Sequence, residues 1–393
     1  MQPLGIYVEV PFCASKCSFC NFSSRVESGS IFDRYSNALE QEIEGLPAAF
    51  ESYGLAEEVL ALPVDTVYFG GGTPPLLGLE RLRRIVRALH GRFAVQAGCE
   101  FTMEVTPGSA DAQFLAEAMR LGMNRLSIGA QTFEDHGLRA VGRLHSAADT
   151  CELVQRARSA GFENVSLDLV AGLPHQNSES WQRDLDAALR LAPQHISLYL
   201  FEIDQKSRLG REVLQCGTRY HAPAVPGEEL MADAYELGRE VLEREGYIQY
   251  EISNFARAGY ESRHNLKYWQ LAPYVGLGAV AHSFDGINRW ANVDDSKLYI
   301  EKVDENRSPI AEVRKLSPEE QLEEFFFLGL RQAEGVNLQR ARERWGQDRF
   351  GHWQERIEAL TQDGLLIRSG DNIRLAETAY LVSNEVFQEF VGA

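Results

Sequence analysis

Between Leu4 and about Phe201, six short apolar runs rich in β-branched residues alternate with longer stretches of helical periodicity. Few folds are open to such a chain, because one parallel strand reaches the next only through a long crossover, usually a helix. The expected strands are Leu4 to Val10, Val64 to Phe69, Glu100 to Val105, Arg125 to Ile128, Asn164 to Leu169 and His195 to Leu200. After the first, Phe32, Tyr35, Leu39 and Ile43 recur at spacings of three and four, which puts one apolar stripe on a helix facing the sheet. The fold class is α/β. Successive strand-helix units build either an open doubly wound sheet or a partial barrel, and in both a ligand meets the carboxyl ends of the strands.

After Ile203 the alternation stops. Gly227 to Gly246 carries Leu230, Ala234, Leu237 and Val241 on one helical face. From Glu334 to the end come two short helical patterns, the run Gly364-Leu365-Leu366-Ile367, a turn at Gly370-Asp371-Asn372 and a second run from Ile373 to Leu375. That order predicts a small, mainly helical, winged-helix-like domain. The expected organisation is a barrel over 1–205, a linker and cover region over 206–310, and the winged tail over 311–393.

A winged helix raises the question of DNA. The last sixty residues, Glu334 to Ala393, hold seven Arg, no Lys and ten acidic residues, and the whole chain sets 57 acids against 39 bases for a net charge of −18. A field of that sign repels a polyphosphate backbone, so nucleic acid is not the expected partner. No run approaches the roughly 18 apolar residues that span a bilayer, and the start lacks the pattern of a secretory leader. The expected location is the cytoplasm, with membrane contact limited to docking on a membrane-bound partner.

Of six cysteines, Cys13, Cys17 and Cys20 fall within eight positions just beyond the first strand. A structural zinc site prefers four protein ligands, and the fourth would have to come from far along the chain. A four-iron cluster fully ligated by protein also takes four thiolates. Three would leave one iron open to a substrate or cofactor. The other strand ends are polar too: Gly70-Gly71-Gly72-Thr73-Pro74 follows the second strand, Glu104 the third, Gln131 the fourth, and Asp168 lies on the fifth. Glycines there let backbone amides approach a ligand closely.

The three cysteines together with Gly70 to Pro74 resemble the radical S-adenosylmethionine superfamily. Within it, Tyr7-Val8-Glu9-Val10-Pro11-Phe12-Cys13, Glu104-Val105-Thr106-Pro107, Arg125 to Gln131 and Asp168 to Pro174 resemble the oxygen-independent coproporphyrinogen oxidase family and its close relatives. The resemblance implies a partial (β/α)6 TIM-like barrel. It implies a [4Fe-4S] cluster on Cys13, Cys17 and Cys20, and S-adenosylmethionine contacts at Tyr7, Gly71, Gly72, Thr73, Glu104, Gln131, Arg143 and Asp168. A sulfonium ligand with an ammonium group suits carboxylates, and Arg143 suits its carboxylate.

Two departures and one further motif direct the reading within that family. Phe22 stands where the oxidases carry a further Cys, and Glu9 stands where relatives commonly have His. Arg263-His264-Asn265-Leu266-Lys267-Tyr268-Trp269 resembles the His-Asn-x-x-Tyr-Trp motif of HemW-type heme chaperones. A neutral imidazole is a good axial ligand for heme iron, and Tyr268 and Trp269 offer flat faces to a macrocycle. The resemblance thus implies a heme-binding chaperone that passes heme to an acceptor protein, with His264, Asn265, Tyr268 and Trp269 at the heme. The same motif read without the family is a locally bonded His beside packing aromatics. The enzyme alternatives are a radical coproporphyrinogen III oxidase and a heme-degrading or methyl-transferring relative.

Overall fold

The computed structural model describes residues 2–21, 23–27 and 29–392. Phe22, at the departure from the oxidases, lies outside the described residues. The barrel strands are β1 (Leu4–Val10), β2 (Val64–Gly71), β3 (Val95–Val105), β4 (Arg125–Gln131), β5 (Asn164–Ala171) and β6 (His195–Leu200). Each pairs in parallel with the next, from β1 to β6. Helices such as Gly29–Tyr53, Leu79–Arg92 and Ala147–Ala160 make the crossovers.

Residue alternation decides which face of each strand meets the helices. On β1, Leu4, Ile6, Val8 and Val10 are fully buried against the outer helices, where Tyr35, Leu39 and Ile43 complete the same core. The alternate set faces inward and is polar on every strand: Tyr7 and Glu9, Thr66 and Tyr68, Glu100 and Glu104, Arg125 and Ser127, Ser166 and Asp168, His195 and Ser197. Register places them in rows, with Tyr7 beside Tyr68, Glu104 beside Ser127 and Asp168 beside Ser197. A closed TIM barrel fills its interior with branched aliphatics. Here the interior is a polar lumen.

The sheet is open: β1 and β6 are not neighbours, and each gains further strands on its free edge. Beyond β6 comes a hairpin of β7 (Ile248–Glu251) and β8 (Asn254–Ala256), in which β8 pairs antiparallel with β6 and β7 pairs antiparallel with β8 on the outside. Beyond β1 lie β9 (Tyr274–Leu277), parallel to it, and then the antiparallel β10 (His282–Phe284), β11 (Asn288–Asn292) and β12 (Ile310–Lys315). The stretch expected as a linker and cover is therefore part of the sheet itself. An uncovered edge leaves a row of unpaired N–H and C=O groups, and these strands satisfy them. Most are three to five residues long, too short for the period-2 signal to mark them in sequence.

Since β12 belongs to the large sheet, the tail begins near Leu316. Ser317 caps the helix Pro318–Gly329 with a reciprocal Ser317–Glu320 box and Pro318 in its first turn. Helices Leu338–Trp345 and Gln347–Gln362 follow, with a small sheet of β13 (Val336–Asn337), β14 (Leu366–Ser369) and β15 (Asn372–Leu375). This is the expected winged arrangement. Its centre is aromatic, with Phe326 stacked on Phe390 at 4.7 Å and 5.8 Å from Trp353.

Candidate functional site at the barrel mouth

Pro11 turns the chain out of β1 into the cysteine loop, and two backbone bonds tie its stem: Cys13 N–H to Arg25 O at 2.9 Å and Arg25 N–H to Pro11 O at 2.8 Å. Ser18 N–H binds Val141 O, and Leu209 N–H binds Ser18 O, which fixes the loop to the rim. Cys17 is buried, while Cys13 and Cys20 are partly exposed. Thr73 Oγ1 lies 3.9 Å from Cys13 Sγ, and Arg143 Nη1 lies 3.7 Å from Cys17 Sγ. That guanidinium puts positive charge beside a sulfur that must be anionic to bind iron. Among the described residues no three Cys, His, Asp or Glu side chains already converge on a single ion. Three sulfurs on one tethered loop, with no His on it, nevertheless fit a cluster that leaves one iron unligated by protein better than they fit a closed zinc tetrahedron.

The glycine turn after β2 runs against the same stem. Gly72 N–H binds Val10 O at 2.9 Å and Thr73 N–H binds Phe12 O at 2.7 Å. A Cβ on Gly72 would lie 2.4 Å from the Phe12 carbonyl oxygen, and one on Gly71, at φ +101°, would lie 2.0 Å from the Glu9 carboxylate. Close approach to backbone requires glycine at 72, and the left-handed φ requires it at 71. Gly72→Ala is expected to lower stability by about 1–3 kcal/mol through overpacking against backbone. Gly91→Ala, in a helix with nothing within 4 Å, is expected to be neutral or stabilising. Urea denaturation of the two variants checks this; equal midpoints would show that Phe12 can move aside.

Below the mouth, Gly71 N–H and Tyr68 OH both donate to Glu104, at 3.0 and 2.9 Å, and Tyr7 OH donates to Glu9 at 2.8 Å. Arg143 Nη2 donates to Gly129 O at 2.7 Å, and Gln131, which ends β4 at φ +67°, brings its amide against the same glycine. Ser127 Oγ donates to Asp168. The structure therefore gathers Tyr7, Gly71, Gly72, Thr73, Glu104, Gln131, Arg143 and Asp168 around one mouth beside the cysteine loop. Sequence reading missed Tyr68 and Arg125 in the lumen and gave Glu9 no role. The inward position of each, two residues from a polar neighbour on its strand, was the available signal.

Burial raises the Glu9 carboxyl to about 8 and the Glu104 carboxyl to about 7; the Tyr7 hydroxyl opposes the first shift, and the Asp168 charge adds to the second. A carboxyl whose pKa is higher in the folded chain keeps its proton after the unfolded chain has released it. Folding stability then falls as pH rises from about 4.5 to about 8. Glu9→Gln, which keeps an acceptor for Tyr7, is expected to flatten that slope and raise the melting temperature at pH 8. Calorimetric scans across this range test it, and an unchanged slope would reject it.

The His-Asn-x-x-Tyr-Trp segment lies at the opposite end of the lumen. It forms the helix Arg263–Trp269, capped by Ser262, and the Glu100 carboxylate accepts from the amides of Arg263 and His264 at 3.1 and 3.0 Å. Lys267 pairs with Asp65 at 2.6 Å. His264 is 1% exposed. Its Nδ1 meets Thr66 Oγ1 at 2.9 Å, its Nε2 meets Tyr268 OH at 2.8 Å, and its ring lies 5.3 Å from that of Tyr68. Burial, then Lys267, lower its pKa to about 3, so the ring is neutral. Tyr268 packs edge-on to Tyr274, Arg331 from the tail covers Trp269, and Asn265 is partly buried on the same helix. Both ring nitrogens of His264 are thus engaged within the chain, and the motif plugs the floor of the barrel.

A polar-lumened partial barrel with a three-cysteine loop beside a glycine cradle, followed by a winged tail, defines the radical SAM class. The Radical SAM superfamily matches residues 7–188, and the HemN C-terminal domain matches residues 316–382. The heme chaperone HemW of Bacillus subtilis is 36% identical over 387 residues, covering 98% of each chain, and that of Mycobacterium tuberculosis is 33% identical over 397 residues, covering 100% of this chain and 95% of its own. The chain belongs to the HemW family. The solved structure of Escherichia coli coproporphyrinogen III oxidase (HemN) superposes with a TM-score of 0.85 over 99% of this chain and 90% of that one, at 23% identity, and shares the fold.

Proposed function

We propose that this chain is a heme chaperone that binds heme and passes it to an acceptor protein. It would work in the cytoplasm, where a reduced thiol trio survives. The observation that carries the reading is full-length similarity to HemW at 36% identity, which includes the winged tail. Cys13, Cys17 and Cys20 would hold a [4Fe-4S] cluster, and the Gly71 to Thr73 cradle with Glu104, Gln131, Arg143 and Asp168 would hold S-adenosylmethionine. When bound, the cluster supplies an open iron able to chelate that cofactor and a route for one electron to it.

The chain's own residues do the positioning. Arg143 faces both Cys17 and the rim at Gly129, so it would hold a cofactor carboxylate near the open iron. Glu104, anchored by Tyr68 and Gly71, presents its charge to an ammonium group. For heme, His264, Asn265, Tyr268 and Trp269 would serve once the floor helix swings outward and frees the imidazole from Thr66 and Tyr268.

Anaerobic protein carrying its cluster, mixed with heme and then with apo-acceptor, tests the proposal: heme bound at one per chain and moved to the acceptor supports it. Protoporphyrinogen IX formed from coproporphyrinogen III with 5′-deoxyadenosine would instead establish the oxidase.

A further inference from the structure

Three histidines on the barrel rim have no part in this reading. His136 lies on the helix Asp135–Ala140 after β4, His175 in the turn after β5, and His221 in the segment Arg219–Ala224. All are exposed, and the tertiary structure brings them together. Ring centroids are 4.3 Å apart for His136 and His175 and 5.1 Å apart for His175 and His221. Nε2 of His175 and Nδ1 of His221 stand 3.1 Å apart.

A hydrogen bond between the two rings is the simpler account, and the backbone weighs against it as the whole account. His175 and His221 hold φ values of +69° and +59°, and Tyr220 beside them holds +55°. Left-handed backbone at residues other than glycine is strained, and such residues cluster where backbone is bent to present ligands.

The separation matches metal ligation. Two imidazole nitrogens at about 2.0–2.1 Å from one zinc-class ion, at angles between square and tetrahedral, lie roughly 2.9–3.4 Å apart. We propose that His175 Nε2 and His221 Nδ1 bind one divalent transition-metal ion, with His136 as third ligand and water completing the shell. Among the described residues no three such side chains already converge, so His136 must turn about its own side-chain bonds to join. Adjacent positions on the ion exclude heme iron, whose open sites lie on opposite faces of the porphyrin. Burial and the two neighbouring histidines lower the pKa of His175, which favours the neutral, ligating form. Glu134, in the same cleft, is occupied by Arg183 at 2.8 Å.

The ion would staple the turn after β5 to Arg219–Ala224. Ala222 of that segment packs in the apolar cluster that also takes Phe19 of the cysteine loop. The site is thus a brace for the roof of the mouth, independent of the function proposed above.

Calorimetric titration of the full-length, cluster-loaded chain with Zn2+ tests it. One ion per chain is expected. Loss of outer partners alone weakens metal sites about 10–100-fold, so His175→Ala or His221→Ala should cost about 100-fold or more and the double variant should abolish the site. His136→Ala should weaken it less, and Cys17→Ala should keep it. Unchanged melting in chelator shows that the variants are folded. Zinc binding that survives in the double variant, or that disappears with Cys17→Ala instead, overturns the proposal. A heme titration of the double variant that matches the parent separates this result from the heme reading.

Discussion

Cys17→Ala is expected to abolish the iron-sulfur cluster while leaving the barrel folded. After anaerobic reconstitution, iron and inorganic sulfide should fall from about four each per chain to near zero, and the visible absorbance should go with them. The size of the effect follows from the ligand count. With three thiolates and one iron already open, removing one leaves two protein ligands for a four-iron unit. Cys17 is also the buried member of the trio, and Arg143 Nη1 faces its sulfur at 3.7 Å. The substitution removes a small side chain at the rim rather than from the helix-packed core, so thermal melting of the cluster-free chain should change little. Retention of four irons would remove Cys17 from the site, and zinc in place of iron and sulfide would refute the cluster itself.

His264→Ala has the second large effect, and the structure divides it into two parts. The first is stability. The substitution strands the Thr66 hydroxyl and Tyr268 OH in a buried place and opens a cavity under Tyr68, at a cost of about 2–5 kcal/mol. The second is heme: affinity should fall by about tenfold or more, with cluster iron unchanged. Thr66→Val keeps the parts distinct. It preserves side-chain shape, removes only the partner of His264 Nδ1, and loosens the closed floor, so heme uptake measured by stopped flow should accelerate. Parental heme affinity in His264→Ala, together with an unaltered uptake rate in Thr66→Val, would exclude the floor histidine as ligand.

Much of the molecule was legible from local patterns. All six barrel strands start or end within a few residues of expectation, because a strand with one face under helices and one in a lumen writes its alternation into the sequence. The winged tail was equally plain, since a hairpin turn at Gly370-Asp371-Asn372 and two amphipathic helices are short-range signals. The edge strands β7 to β11 were not, because each is marginal alone and exists only because a neighbouring edge needs pairing.

The same division holds at the site. Cys13, Cys17 and Cys20 share a loop by covalent proximity, and Gly71 and Gly72 announce a tight turn because a left-handed φ at the first and close backbone at the second exclude a side chain. The chain alone thus determined the strand succession, the thiol trio and the glycine cradle, all of which depend on spacings of a few residues. Tertiary structure alone decided that His264 plugs the floor instead of facing solvent, that Glu9 and Tyr68 line the lumen, and that His136, His175 and His221 meet at the rim. Each of these depends on distances between strands far apart in sequence, and they are set by sheet register and helix packing, which no local pattern encodes.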